Sequence, residues 1–255
     1  GGTDLALEVT KKRNNLRNIF YIGSNKELNF INIKGKNIHI GAATPISDIM
    51  PKLEKIYPTF SKMFERYGSE QIRNSASLGG NLGSASPIGD SLPVLIALNS
   101  QIVIQGKKQR TMVLDDYFIS YRKTKLKKSE FIKEIIIPIN NEKILKCYKI
   151  SKRIDDDISS VFMAINANIK NNTFKSIKIV CGGMAEIPKI AKLTQKYLLN
   201  RKFNEENINE AKNIIAQEFN PIDDMRASKE YRKKISQNLL ERFLHEQNQI
   251  NTAVY

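Results

Sequence analysis

The sequence predicts an α+β protein built in two parts. Short apolar runs that suit strands dominate the middle of the chain and helical patterns finish it, whereas α/β folds alternate the two. The turn signal Asn140-Asn141, directly after a strand that ends near Pro138, is the best candidate boundary. We therefore predict one domain over residues 1–140 and a second, smaller α+β domain over residues 143–250.

The first part starts with a strand that leads into a helix. Ile38 and Ile40 alternate with polar residues and give one apolar face to a strand that ends at Gly41. Thr44 is expected to cap the following helix. Pro45 is expected to occupy the first helical position, where the missing backbone N–H has no intrahelical partner to lose.

Prolines divide this helical region. The helix begins at Ile46 and is predicted to break at Pro51 and again near Pro58, because proline removes a helical hydrogen bond. Tyr67-Gly68 closes the region. Residues 72–90, rich in Gly, Ser, Ala and Asn, are expected to hold little regular structure.

A helix and two strands complete the first part. The apolar spacing over Leu92–Leu98 predicts a buried helix. Alternation of apolar and polar residues then predicts a strand over Gln101–Gln105. A further strand is predicted over Glu134–Ile139, immediately before the domain boundary.

Three strands and three helices are predicted after this boundary. The strands cover Cys147–Ile150, Val161–Ile169 and Ile177–Cys181. Asn171-Asn172 is expected to turn the chain between the last two strands as a hairpin, because asparagine tolerates the positive φ that such turns need. The helices are expected around Pro188–Asn200, Glu205–Ala216 and Ser228–Gln247.

Composition excludes several classes of protein. The 255 residues carry 41 Lys plus Arg against 26 Asp plus Glu, a formal charge of +15, and 41% are hydrophobic, so the chain can bury a core. No apolar run approaches the ~20 residues of a membrane-spanning helix. Cys147 and Cys181 are the only cysteines, which excludes a disulfide scaffold and four-cysteine zinc or iron–sulfur sites.

The start of the chain is informative. Gly1-Gly2-Thr3-Asp4 has the composition of a turn that follows something absent, so we expect the chain to be a piece of a longer polypeptide. No secretory leader is visible in it. With so few cysteines, a reducing cytoplasm is the expected compartment.

The densest chemical signal is the small-residue stretch over residues 72–90. Its glycines let backbone N–H groups approach a ligand closely, and successive N–H groups form a concave nest for an anion. Ser77, Ser84 and Ser86 add hydroxyls, Asn81 an amide and Asp90 an acceptor for ribose-type hydroxyls. The phosphate of a nucleotide is the natural ligand, although a lone Gly-Gly-Asn is far more often an ordinary surface loop.

A second glycine-rich turn, Gly1 to Leu5, adds further backbone amides. Two such segments suit a dinucleotide, because its pyrophosphate is extended. The stretch over residues 72–90 is not a Walker loop, since no Gly-Lys-Ser/Thr follows it. It is not a Rossmann fingerprint either, because the spacing of its glycines differs.

These segments, with Arg122–Pro138 and Lys149–Asp157, occur in an order that resembles the FAD-binding subunit or domain of the molybdenum hydroxylases. That family includes xanthine dehydrogenase and the medium subunit of carbon monoxide dehydrogenase. The run Asp224–Arg232 resembles the family's C-terminal flavoprotein domain. Gly2–Asp4 with Glu8–Lys11, together with Ser86–Asp90, resembles bacterial xanthine dehydrogenase small subunits. The resemblance implies a two-lobed, PCMH-type FAD-binding domain, followed by a small domain like that of the CO dehydrogenase flavoprotein.

The resemblance also implies which residues contact the cofactor. Two segments would touch the FAD pyrophosphate: Gly1, Gly2, Thr3, Asp4 and Leu5 in the first, and Ser77, Leu78, Gly79, Gly80 and Asn81 in the second. Ser84 and Asp90 match positions further along the cofactor. Tyr67 would stack near the adenine side, and Ile132 would pack on the isoalloxazine.

The same resemblance places Lys149 beside the flavin and Asp156 in a loop near its reactive face, as the catalytic residues. A lysine near the pyrimidine end would stabilise negative charge on the reduced flavin and raise its potential, and a nearby carboxylate would oppose that. Asp155–Asp157 alone is equally typical of a solvated turn. Ile154 departs from the family pattern, which has a polar or basic residue at this position.

Cofactors and partners follow from the resemblance as well. Molybdopterin and 2Fe-2S clusters would reside in partner chains, namely a molybdopterin-binding large subunit and a 2Fe-2S domain or subunit, or in a missing N-terminal part. FAD in this chain would take electrons from the iron–sulfur centres and pass them to NAD as hydride. The resemblance implies no nucleic-acid or membrane partner, and it leaves open the organic substrate and the choice between NAD and oxygen.

Two alternatives remain at this point: a basic nucleic-acid-binding protein and a non-redox assembly scaffold. The basic run Arg122–Lys128 more often forms a solvated face than a phosphate site, and aromatic residues are not interleaved with it as a single-strand binding platform requires. The excess of Lys, Asn and Ile is typical of an AT-rich coding sequence. His39 is predicted to be a strand residue and His245 a surface residue near a helix end.

Overall fold

The computed structural model describes residues 1–252 and confirms the α+β class. The strands of the N-terminal part, residues 1–140, are β1 (Ile31–Lys34), β2 (Asn37–Gly41), β3 (Gln101–Gln105), β4 (Gln109–Val113), β5 (Phe118–Ser120), β6 (Lys123–Thr124) and β7 (Phe131–Pro138). Its helices are α1 (Ala6–Thr10), α2 (Ile46–Glu54), α3 (Pro58–Glu65), α4 (Glu70–Arg73), α5 (Leu78–Ser84) and α6 (Ser91–Ala97), with a 3-10 turn at Leu114–Asp116.

The C-terminal part, from residue 144 onward, holds a second set of elements. Its strands are β8 (Ile144–Ile150), β9 (Val161–Lys170), β10 (Thr173–Gly182) and β11 (Lys189–Ile190). Its helices are α7 (Lys192–Leu198), α8 (Glu205–Glu218) and α9 (Lys229–Gln247). The strands form one antiparallel sheet in the order β11-β10-β9-β8.

The N-terminal sheet has the order β1-β2-β7-β3-β4, and all its pairs are antiparallel. β7 lies between β2 and β3 although it comes last in sequence. The register sets Ile135 of β7 opposite both Ile40 and Ile102, and Ile137 opposite Ile38. These isoleucines are fully buried and form a core with α2, α3, α5 and α6.

Two predictions about α2 are wrong. Thr44 does not cap the helix, because its hydroxyl both donates to and accepts from the backbone of Phe30, at 3.0 Å each, and Pro45 is the cap residue instead. Pro51 does not break the helix, which continues to Glu54. Burial of one helix face in the core outweighs the hydrogen bond that Pro51 removes. The predicted break near Pro58 is confirmed, because a separate helix begins at Pro58.

The expectation of little regular structure over residues 72–90 is also wrong. α4 ends in this stretch and α5 lies within it. Ser77 provides the missing helix signal, because its Oγ accepts a hydrogen bond from the Gly80 amide at 3.1 Å and caps α5. Gly79 lets this helix pack tightly, since a Cβ there would lie 2.4 Å from the carbonyl oxygen of Ala42.

The second sheet is buried on both faces. Along β9, Val161, Met163 and Ile165 pack against the C-terminal helices, whereas Phe162 and Ala164 enter the core of the N-terminal part. The side-chain amide of Asn166 also donates to the carbonyl oxygen of Ala97, the last residue of α6, at 2.8 Å. The two parts therefore share a packed and hydrogen-bonded junction.

Element boundaries in the C-terminal part differ modestly from the predictions. All three predicted strands are longer, and Asn171 and Asn172 both have positive φ, as the predicted hairpin requires. The helix predicted from Pro188 is wrong in its first turn, because Lys189 and Ile190 instead pair with the edge of β10. α9 begins one residue later than predicted, because Ser228 is its cap.

Candidate functional site

A cleft of about 290 Å³ lies where two segments that are distant in sequence meet. The terminal amino group of Gly1 donates to Ser77 Oγ at 3.1 Å, and the same hydroxyl oxygen accepts from the Gly80 amide. The predicted site residues that line the cleft are Gly1, Thr3, Asp4, Leu5, Tyr67, Ser77, Gly80, Asn81 and Ser84. The structure therefore brings together the two glycine-rich segments that the sequence singles out.

Three further predicted residues lie beside or beneath this lining. Gly2 lies between two lining residues, and a Cβ on it would meet open space. Leu78 and Gly79 are buried at the start of α5, where Leu78 joins the core of the N-terminal part and Gly79 lies against Ala42. Sequence reasoning missed Glu8, Ala76 and Gly83, which also line the cleft. Glu8 stands four residues before Lys12, an ion-pair spacing on a helix that could have indicated α1.

Glycine is required for the shape of this cleft. A Cβ on Gly80 would lie 3.2 Å from Ser77 Oγ and 3.7 Å from the carbonyl oxygen of Gly1, so a larger side chain would fill the space between the two segments. A Cβ on Gly1 would lie 2.0 Å from the carbonyl oxygen of Ser75. A Cβ on Gly83 would meet nothing within 4 Å.

Paired charges surround the cleft on the side of the first segment. Asp4 lies 4.0 Å from a guanidinium nitrogen of Arg122, and Glu8 pairs with Lys12 at 2.7 Å. Hydrogen bonds from Lys12 and Asn14 hold the pKa of Glu8 below its usual value. Arg122 belongs to the predicted basic run, and its place beside Asp4 puts positive charge near the first glycine-rich segment.

Tyr67 lines this cleft and lies close enough to the Asp90 carboxylate for its charge to act on the phenol. Its ring stands edge-on to Phe64, with centroids 5.7 Å apart. Burial, followed by the negative charges of Asp90 and Asp4, raises the pKa of Tyr67 to about 12. Tyr67 is therefore a neutral phenol at physiological pH.

A buried cluster consists of Asp90, Lys149 and Ser159 and spans both parts of the chain. Lys149 Nζ donates to Asp90 Oδ2 at 2.6 Å and to Ser159 Oγ at 3.1 Å. Ser159 Oγ donates to Asp90 Oδ1 at 2.6 Å. Both charged side chains are at most 5% exposed. The low dielectric of the protein interior strengthens the attraction between the two charges. Either charge alone would carry a large desolvation penalty.

This cluster is tied to the cleft through α5. The hydroxyl of Ser91, which follows Asp90, donates to Asn81 Oδ1 at 2.5 Å. Asn81 lines the cleft. Of the cluster members, sequence reasoning missed Ser159, since no local pattern distinguishes it from other serines. The predicted contacts of Asp90 and Lys149 with a cofactor remain predictions.

The loop between β8 and β9 carries the other predicted catalytic residue. Asp156 is exposed and has φ of 50°. Asp157 stabilises the turn by accepting hydrogen bonds from the amides of Arg153 and Ile158, at 2.9 Å each, and this holds its pKa below the usual value. Arg66 reaches across from α3 and donates to the carbonyl oxygen of Ile154 at 2.8 Å. The role predicted for Asp156 stays a prediction.

Ile132 lies in β7 opposite Ile104, is 6% exposed and belongs to the core of the N-terminal part. It does not line the cleft, and its predicted contact with the isoalloxazine remains a prediction. His39 is in β2 and contacts Glu134, and His245 is in the last turn of α9, both at the predicted places.

Other classes of site were sought in the same structure. Over residues 1–252, no group of three His, Cys, Asp or Glu side chains is arranged to hold a metal ion. No helix in that range is long and apolar enough to cross a membrane. Cys147 and Cys181 are free thiols, and burial raises the pKa of each, that of Cys147 to about 12.

Comparison with known proteins identifies the family. Residues 1–140 match the FAD binding domain in molybdopterin dehydrogenase. The chain belongs to this FAD-binding family. Residues 146–247 of this chain match the CO dehydrogenase flavoprotein C-terminal domain, so the two matches together cover nearly all of the chain.

Curated relatives of this FAD-binding chain include larger enzymes and a subunit. It is 28% identical to a xanthine dehydrogenase of Emericella nidulans, over 96% of this chain but only 19% of that protein. It is 27% identical to the glyceraldehyde dehydrogenase medium chain of Sulfolobus acidocaldarius, over 82% of this chain and 75% of that one. The chain thus spans about a fifth of the length of the xanthine dehydrogenases it matches and most of a medium chain.

Solved structures show the same fold. A carbon monoxide dehydrogenase chain from Hydrogenophaga pseudoflava superimposes with a TM-score of 0.86 at 21% identity, covering 94% of this chain and 85% of that one. A chain of quinoline 2-oxidoreductase from Pseudomonas putida 86 gives 0.84 at 18% identity, with 96% and 86% covered.

The residues of the cleft fit the family's cofactor. Two backbone segments face each other across a space that a side chain on Gly80 would fill, as a close-lying pyrophosphate requires. The chain is therefore an FAD-binding component in the molybdenum hydroxylase family.

Proposed function

We propose that this chain is the electron-transfer component of a molybdenum-containing hydroxylase most like xanthine dehydrogenase, accepting electrons from iron–sulfur centres and reducing NAD. The observation that supports it best is the cleft, where Gly1–Leu5 meets Ser77–Asn81 through the bond between Gly1 and Ser77. FAD, when bound, exchanges electrons singly or as hydride. Residues of both segments would hold its pyrophosphate, and Tyr67, Ser84 and Ile132 would contact the rest.

Lys149 and Asp156 are proposed as the residues that influence the reacting ring. Because Lys149 is paired with Asp90 at 2.6 Å, the two together present a dipole rather than a full positive charge. Their effect on a neighbouring redox group would be weaker than that of an unpaired lysine. Asp156 is exposed at the tip of its loop and is available to an approaching molecule.

The partners in this proposal are a molybdopterin-binding large subunit and a 2Fe-2S domain or subunit, with NAD as the acceptor and the cytoplasm as the compartment. The relatives support the multi-part arrangement, since one is named as a medium chain and others are several times longer than this chain. A non-redox scaffold and a nucleic-acid-binding protein remain as outcomes of the test.

The test uses the purified chain and FAD. The chain is incubated with FAD, freed of excess ligand and examined for a bound flavin spectrum, with FAD released on denaturation. NADH is then added without oxygen, with NADPH as a comparison, and loss of flavin absorbance is followed. The proposal expects stoichiometric FAD and its bleaching by NADH.

Each alternative gives a different result. A chain that stays colourless at high FAD concentration contradicts the FAD role and favours the scaffold. A chain that binds FAD but is not bleached by NADH retains that role and overturns the NAD assignment. Retention of DNA or RNA on a filter at physiological salt, without FAD binding, supports the nucleic-acid reading.

A further inference from the structure

Arg232, in the first turn of α9, is a buried cation that the proposed function does not use. It is 1% exposed, and its Nη2 donates to Asp224 Oδ1 at 2.6 Å. Its Nη1 donates to the carbonyl oxygens of Ser160 and of Gly183, the latter at 3.1 Å. Within residues 1–252, Arg232 Nε has no hydrogen-bond partner, so the guanidinium is committed to these contacts through its other two nitrogens.

The two carbonyl groups that Arg232 holds belong to segments that lead to the Asp90–Lys149–Ser159 cluster. Ser160 follows Ser159, whose hydroxyl bridges Asp90 and Lys149. The amide of Gly183 donates to the carbonyl oxygen of Pro87 at 3.0 Å, three residues before Asp90. The guanidinium thus contacts the residue directly before β9 and, through Gly183, is linked to the loop that carries Asp90.

Gly183 shows that this arrangement is tight. Its φ is 77°, and a Cβ there would lie 2.4 Å from the carbonyl oxygen of Ser160 and 3.0 Å from Arg232 Nη1. The two carbonyl groups therefore converge on the guanidinium only because residue 183 has no side chain. A buried ion pair is weak evidence for stability, since an apolar replacement is often tolerated, so the role of Arg232 is inferred from the two backbone carbonyl groups that it contacts.

We propose that Arg232 is a positioning residue, which orients Ser159 and, through it, the Asp90–Lys149 pair at the junction of the two parts. Arg232 contacts neither member of that pair and acts through the backbone of Ser160 and Gly183. The effect of Arg232 on bound FAD rests on the proposed function. The effect of Arg232 on the backbone at Ser160 and Gly183 is independent of the proposed function.

The experiment compares Arg232→Met, Arg232→Lys and Ser159→Ala in the full chain. Arg242→Lys is the matched control, because Arg242 lies on the same helix and pairs with Glu246 without touching Ser160 or Gly183. Amide hydrogen exchange over residues 158–162 and 182–184 is measured without FAD. The midpoint potential of bound FAD is measured separately.

Arg232→Met is expected to speed exchange in those two segments by at least ~10-fold and to leave α8 unchanged. Arg232→Met is expected to shift the midpoint potential of bound FAD in the same direction as Ser159→Ala. The double variant that combines Arg232→Met with Ser159→Ala is expected to shift this potential no further than Ser159→Ala alone. Arg232→Lys should restore part of both effects, and Arg242→Lys should change neither.

Three results would overturn the proposal: unchanged exchange in the two segments, exchange raised equally everywhere, or additive shifts in the double variant. If Ser159→Ala leaves the potential unchanged, the flavin role of Asp90 and Lys149 fails, and hydrogen exchange alone decides the role of Arg232. If Arg232→Met does not fold, Arg232→Lys and Asp224→Asn are measured in its place, with local exchange again the deciding result.

Discussion

The cleft and the Asp90–Lys149–Ser159 cluster are linked through Asn81 and Ser91, but different kinds of contact hold the two regions together. Around the cleft, Gly1, Ser77 and Gly80 approach one another through backbone atoms and one small hydroxyl. In the cluster, Asp90 and Lys149 meet as full charges at 2.6 Å, with almost no exposure to solvent. The first region depends on the absence of side chains and the second on their charge.

This difference predicts different responses to substitution. Added volume should impair the cleft while leaving the fold intact, because the space it fills is open to solvent. Removal of one charge should impair the fold itself, because the remaining charge stays buried without its partner. The substitutions below separate the two regions, beginning with the largest effect.

Asp90→Asn is expected to have the largest effect on stability. The carboxamide keeps the shape of the side chain but leaves the Lys149 ammonium buried without a counter-charge, and breaking such a pair costs about 3–5 kcal/mol. Chemical denaturation of the chain without FAD measures the loss. The double variant Asp90→Asn with Lys149→Met should recover most of it.

Asp115→Asn is the matched control, because Asp115 also pairs across the two parts, with Lys178 at 2.6 Å, but at a more exposed position. A solvent-screened pair contributes about 0.2–1 kcal/mol. Equal losses for the two variants would show that burial of the Asp90–Lys149 pair does not matter, and the contrast between the regions would fail.

Gly80→Leu is expected to affect the cleft alone. Its side chain would project between Ser77 and Gly1 and occupy the space between the two segments. We expect roughly 100-fold weaker FAD binding, about 3 kcal/mol, measured by titration of the chain with FAD. The unfolding free energy of the chain without FAD should change little, because leucine is also a better helix former than glycine.

Gly83→Ala provides the comparison within the same helix. A Cβ at this position meets no protein atom within 4 Å, so the unfolding free energy of the chain without FAD should not fall. If Gly80→Leu bound FAD normally, the assignment of the second glycine-rich segment to the pyrophosphate would be wrong.

The two regions also differ in how far the sequence predicts them. The glycines and serines at residues 77–83 are neighbours in sequence. They can indicate a close approach of the backbone to a ligand without any knowledge of the tertiary fold. The cluster joins Asp90, Lys149 and Ser159 from three separate segments, so only the tertiary fold brings them together. Lys149 was singled out by resemblance, and Ser159 carried no signal at all.

The fold follows the same division. The α+β class and the strand over Gln101–Gln105 follow from alternation and were predicted correctly. The predictions at Thr44 and Pro51 are wrong because contacts with Phe30 and with the core, which lie far away in sequence or in other elements, decide those places. The prediction over α5 is wrong for a local reason, because the Ser77 cap on the Gly80 amide was not recognised.

Ser159→Ala should destabilise the chain by an intermediate amount. It removes the hydroxyl that donates to Asp90 and accepts from Lys149, and hydrogen bonds to charged groups contribute about 2 kcal/mol. Ser160→Ala is the neighbouring control, because that hydroxyl makes one neutral bond, to the carbonyl oxygen of Arg226. Denaturation of both variants at neutral pH should give the larger loss for Ser159→Ala, and the reverse order would contradict the bridging role.

Tyr67→Phe should have the smallest effect, visible only at alkaline pH. The pKa of Tyr67 is raised to about 12 in the folded chain, mainly by burial and then by Asp90 and Asp4, whereas an unfolded tyrosine titrates near 10. The unfolded state therefore loses its proton first, and folding stability is fully present below about pH 10 and decreases as pH rises towards 12.

At pH 11 the free energy of unfolding of the parent chain should have fallen by about 1 kcal/mol because of Tyr67. The Tyr67→Phe variant should lack that part of the pH dependence. The exposed Tyr21, replaced by phenylalanine, serves as the control. Because Asp90 raises the pKa of Tyr67 through its negative charge, Asp90→Asn should move this alkaline transition to lower pH. That shift would show that the charge of the buried cluster reaches the wall of the cleft. A transition unchanged by Asp90→Asn would mean that the two regions are electrostatically independent despite their proximity.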